Sequence, residues 1–64
     1  MMRKLKQSQI EKILDGLVVK VYKSQGDAES LEQLHEAIII CGENGFQVRR
    51  YKQIYKDLIM EYSS

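Results

Sequence analysis

The sequence predicts an all-α fold, a small antiparallel three-helix bundle, on three observations. Three segments repeat apolar residues at the spacing of a helical face. Short polar turns that contain glycine separate them. Proline is absent, so the strongest helix breaker is missing from the chain. Helices joined by turns this short pack antiparallel to their neighbours.

The first helix is expected from about Gln9 to about Lys23. Ser8-Gln9-Ile10-Glu11 has the form of a capping box, in which serine caps the first turn and glutamate reaches back. Ile10, Ile13, Leu14, Leu17, Val18, Val21 and Tyr22 then fall in one broad sector, and Val19 points the other way. Lys23-Ser24-Gln25-Gly26-Asp27 reads as a turn.

The second helix is capped by Asp27 or by Ser30, which forms another capping box with Gln33. Leu31, Leu34, Ile38 and Cys41 make its apolar stripe. Gly42 is placed to end it in a left-handed conformation. The third helix is expected from about Gln47 to about Glu61. Val48, Tyr51, Tyr55, Leu58 and Tyr62 recur on one face, with Ile59 and Ile54 at its two edges.

A competing reading is a small α+β fold. Leu17 to Tyr22 and Ile38 to Cys41 are rich in β-formers, and Asn44-Gly45 precedes Phe46-Gln47-Val48. Asn-Gly between apolar runs is a hairpin signal, so this alternative places a hairpin around residues 38–48.

The chain has 64 residues, enough for one domain, 1–64, with residues 1–7 expected as a mobile basic arm and Ser63 and Ser64 as a frayed end. A chain this short buries only about 60% of its unfolded surface, so a disulfide, a metal or a partner often supplements the core. One cysteine, Cys41, makes no intrachain disulfide, and Cys41 with His35 cannot complete a four-ligand zinc site. That leaves a compact bundle that is barely self-sufficient, or an oligomer, with a homodimer or a fold stabilised by another protein as the expected forms. A lone thiol also fits a reducing compartment, so the expected location is the cytoplasm. The basic start lacks the apolar stretch of a signal peptide, and no run approaches the roughly 18 apolar residues of a membrane helix.

The net charge of +1 conceals segregation. Residues 1–26 carry Arg3, Lys4, Lys6, Lys12, Lys20 and Lys23 against Glu11 and Asp15, a net of +4. Residues 27–45 carry Asp27, Glu29, Glu32, Glu36 and Glu43 with no cation, a net of −5. Residues 46–64 carry Arg49, Arg50, Lys52 and Lys56 against Asp57 and Glu61, a net of +2. Pairing inside the bundle, self-association and an external partner are all compatible with that pattern.

No catalytic constellation can be assembled, so the protein is not expected to be an enzyme. Cys41 closes an apolar stripe, and His35 lies on a different face of the same helix as a boundary residue with a hydrogen bond. The acidic residues lack calcium-loop spacing, and the glycines form no phosphate loop. No cofactor, metal or small-molecule substrate is implied.

The leading expectation is a protein-interaction module: a regulator, an inhibitor or antidote, or an assembly subunit. Its candidate interface is Val19, Ile39, Ile40, Ile54 and Met60, apolar residues off or at the edge of the core stripes. Four tyrosines strengthen it, because tyrosine is enriched at interface cores. The alternative is a helix-turn-helix-like DNA-binding regulator. Arg49, Lys52 and Lys56 share one stripe of the third helix with Gln53 beside them, and these residue types contact phosphates and base edges. The acidic second helix opposes that reading, because DNA repels it. A structural subunit that associates only with itself is the second alternative.

Overall fold

A computed structural model describes residues 5–63. It contains α1 (Gln7–Lys23), α2 (Ala28–Glu43) and α3 (Arg49–Tyr62). Among the described residues there is no strand. The fold is a small all-α three-helix bundle, 38 by 18 by 17 Å.

The helix directions follow from which ends meet. The Gln7 side chain donates to the Gln47 carbonyl at 2.9 Å and accepts from the Gln47 amide at 3.1 Å. α1 and α3 therefore start at the same end and run parallel. α2 runs against both. Gly42 lies against Val48 at one end, His35 stacks on Tyr55 midway, and Gly26 lies against Tyr62 at the other end.

Each helix starts and stops for a local reason. α1 begins two residues earlier than the sequence suggests. Lys6 is its N-cap, and its amide donates to the Gln9 side chain at 2.8 Å. Ser8 and Glu11 therefore lie inside the helix and do not cap it. The arm expected over residues 1–7 does not hold at its C-terminal end. Leu5 packs against the core and Gln7 opens α1, while residues 1–4 lie outside the described residues.

Asp27 caps α2, accepting from the Glu29 amide at 3.1 Å. Ser30 is buried one turn further on, and Gln33 accepts from Lys20 at 2.7 Å, so the Ser30–Gln33 box does not form.

Residues 38–48 form no hairpin. Ile38 to Glu43 complete α2, because the helix buries Leu31, Leu34, Ile38 and Cys41 together. Asn44-Gly45 ends it. The Gly45 amide donates to Gly42 at 3.1 Å and the Phe46 amide to Cys41 at 3.0 Å, a Schellman closure. Gly45 supplies the left-handed residue, with φ of 87°, and Gly42 remains helical. α1 closes in the same way: Gln25 donates to Tyr22 and Gly26 to Val21. Here Gln25 takes the left-handed position and Gly26 also has positive φ.

The core is Ile10, Leu14 and Val21 from α1, the four-residue stripe of α2, and Val48, Tyr51 and Leu58 of the α3 segment. Leu17, Val18, Ile54, Tyr55, Ile59 and Tyr62 pack half-buried around it. Ile13 and Tyr22 are exposed, although they belong to the apolar sector of α1. Two neighbouring helices cover only the middle of that sector. Among the described residues, no helix is long and apolar enough to cross a membrane.

Candidate functional site: the groove between α2 and α3

Antiparallel packing of α2 and α3 leaves a shallow groove along their shared surface. Its cavity is about 270 Å³ and is lined by His35, Ile38, Ile39, Lys52, Tyr55 and Lys56. Ile38 is buried and forms the floor. Ile39, one residue on, turns 44% of its surface to solvent. The His35 and Tyr55 rings stack at 4.8 Å between centroids with 14° between planes. That stack bridges the two helices and presents an aromatic edge to the groove. Lys52 and Lys56, one turn apart on α3, supply a cationic rim.

The two sides of this face carry opposite charge. At 100° per residue, Glu32, Glu36 and Glu43 fall within about 60° of Ile39 on the outer side of α2. Lys52, Lys56 and Arg49 occupy the matching outer side of α3. All six are exposed. The ion pair formed among the described residues is elsewhere, between Arg50 and Asp15 at 3.8 Å. The segregated charges of α2 and α3 are therefore not consumed by pairing inside the bundle. Even Lys20, which reaches α2 from α1, bonds the neutral amide of Gln33.

The candidate interface residues from the sequence do not gather into one patch. Ile39 alone joins the groove. Ile40 is exposed on the side of α2 that faces α1, on the same edge as Gln33. Val19 lies on the outer side of α1, and Met60, at 75% exposure, on the outer side of α3. Ile54 is half-buried against the core. The basic stripe also divides. Lys52 and Lys56 line the groove, whereas Arg49 and Gln53 border a second concavity with Gln7, Glu11, Gln47, Arg50 and Tyr51. Gln53 spends one amide hydrogen on Asp57 at 3.1 Å.

Two features escaped the sequence. His35 stacks on an aromatic ring and, among the described residues, makes no hydrogen bond of the kind expected of it as a boundary residue. Tyr51 anchors α3 to α1: its hydroxyl donates to Asp15 at 2.7 Å and accepts from Arg50 at 3.1 Å. The Arg50 guanidinium also sits over the Tyr51 ring, 5.1 Å from its centroid. Both features depend on how the helices are aligned, which periodicity within one helix does not carry.

Cys41 is buried, and burial pushes its thiol above the ordinary range. Among the described residues no three His, Cys, Asp or Glu side chains converge as metal ligands. No protein-family model, curated protein or solved structure matches this chain.

Proposed function

We propose that this protein is a small non-enzymatic interaction module of the cytoplasm that binds a protein partner through the groove between α2 and α3. It acts as a regulator, an inhibitor or antidote, or an assembly subunit. One observation carries the reading: exposed Ile39 beside the His35–Tyr55 stack, with Lys52 and Lys56 lining one side and, by helical spacing, the exposed carboxylates of α2 on the other. An apolar and aromatic centre with a charged rim is the anatomy of a protein interface. An apolar anchor from the partner fills the centre, and the rim sets its orientation.

The DNA-binding alternative has less support. Helix-turn-helix motifs cross their two helices at about 90–120°. Here α2 and α3 lie side by side from Gly42 and Val48 to Gly26 and Tyr62. The acidic side of α2 is consequently carried along the whole basic side of α3, where a phosphate backbone would meet it. Catalysis has less support still. The buried Cys41 thiol, its pKa raised by burial, is a poor nucleophile, and His35 lies about 120° away from it around α2.

The test is affinity capture with the full chain and with Ile39→Asp, each checked for helix content by circular dichroism. Loss of a nuclease-resistant protein partner from a folded Ile39→Asp variant is the expected result. Equal capture by both proteins refutes the groove as the binding surface. Binding to duplex DNA that falls steeply with salt and is lost in Lys52→Ala/Lys56→Ala moves the function to DNA.

A further inference from the structure

We propose that the occupant of the α2–α3 groove is a second copy of this chain, related by a two-fold axis that runs along the helices. The proposal rests on the interaction reading above and names its partner. The reason is that the face is self-complementary. It carries an acidic column on α2, an apolar groove in the middle and a basic column on α3. Glu32, Glu36, Lys52 and Lys56 are all exposed, and among the described residues none of them forms an ion pair.

Charge selects the axis. Two copies meeting on this face can be related by an axis across the helices or along them. An axis across the helices lays α2 on the partner's α2, carboxylates against carboxylates, which is repulsive. An axis along the helices lays α2 of each copy on α3 of the other, so both contacts join opposite charges. This is the isologous arrangement of a two-fold dimer, in which each contact occurs twice.

The register agrees with the charges. His35 stacks on Tyr55, so antiparallel packing places Glu36 level with Ile54. Along α3, that level lies between Lys52 and Lys56. A rotation about the long axis preserves levels. Glu36 of each copy therefore arrives between the two lysines of the other, and Ile39 arrives over the opposite groove. The resulting centre is a four-helix layer that buries Ile39 and the two aromatic stacks. The face follows the length of α2 and α3, 16 and 14 residues or about 24 and 21 Å.

The experiment is sedimentation equilibrium of the full chain across a concentration series. It is repeated for Glu36→Lys, for Lys52→Glu/Lys56→Glu, and for an equimolar mixture of the two variants. All three positions are exposed, so folding is retained, and circular dichroism checks it. The natural chain is expected to dimerise. Each variant alone should weaken self-association at least about tenfold, because like charges then meet across both contacts. The mixture should recover a one-to-one heterodimer, since acidic and basic columns again face each other. A chain that stays monomeric throughout the series overturns the proposal, as does a dimer indifferent to both variants and to Ile39→Asp. A monomer that still loses an external partner on Ile39→Asp overturns the dimer and leaves the interaction module standing. A folded Ile39→Asp variant with unchanged association and unchanged partner capture overturns both.

Discussion

Replacing Tyr51 with phenylalanine isolates the polar contact that fastens α3 to α1. The Tyr51 ring is 2% exposed, and phenylalanine preserves its packing. What disappears is the hydroxyl, which donates to Asp15 Oδ1 at 2.7 Å and accepts from Arg50 Nη2 at 3.1 Å. A hydrogen bond to a charged group contributes about 1.5–3 kcal/mol. Asp15 is 59% exposed, so water rehydrates its carboxylate once the phenol is gone, and the contribution shrinks. No buried polar atom is stranded. The net cost is therefore about 1–1.5 kcal/mol, which in a domain of this size lowers Tm by about 5–10 °C. Tyr51→Ala also empties the core and should cost about 3–5 kcal/mol.

The same substitution has a pH signature. Burial, and then the Asp15 hydrogen bond, hold the Tyr51 phenol above its ordinary value of about 10. The folded state favours the neutral phenol. That stability is complete below about pH 10 and is lost as pH rises through the folded pKa. Cys41 and Tyr62 are shifted in the same direction, so both proteins lose stability in alkali. The gap between natural chain and Tyr51→Phe should therefore narrow from about pH 9 to about pH 11 in thermal melts followed by circular dichroism. A Tm within about 2 °C of the natural chain at neutral pH would refute the contribution of the hydroxyl. Parallel pH profiles would refute its raised pKa. A double-mutant cycle with Asp15→Asn should give a coupling near 1 kcal/mol, and strict additivity would show that the two side chains do not interact in solution.

Two further substitutions probe the backbone. Gly26→Ala places a Cβ inside the van der Waals envelope of the Tyr62 ring at a φ of 79°, so it should destabilise by at least about 1–2 kcal/mol. The loss should be smaller in a Tyr62→Gly background, which removes the Cβ as well as the ring, and equal losses in both would show that the contact is absent. Gly16→Ala lies inside α1 with nothing within 4 Å of the new Cβ, so it should raise stability by about 0.8–1 kcal/mol in urea titrations, and a destabilised variant would place α1 differently.

What the sequence determined by itself is local. The stripe Leu31, Leu34, Ile38 and Cys41 is buried as its period requires, and Val48, Tyr51 and Leu58 follow the same rule. Periodicity within one helix selects the face that leaves water, and that is enough to set the fold class. The same signals misplaced ends. Asn44-Gly45 favours positive φ, which suits both a hairpin turn and a helix closure, and only burial of the α2 stripe decides between them.

The tertiary structure decided everything that depends on alignment between helices. It brought Ile39 to the groove and sent Ile40, Val19 and Met60 to other sides. It set His35 against Tyr55 and Tyr51 against Asp15, pairs separated by many residues along the chain. It also left the carboxylates of α2 and the lysines of α3 side by side and, among the described residues, without an ion pair. A single helix specifies angles about its own axis. The rotation and sliding of one helix against another are specified only when all three bury their stripes together, and the groove is a product of that packing.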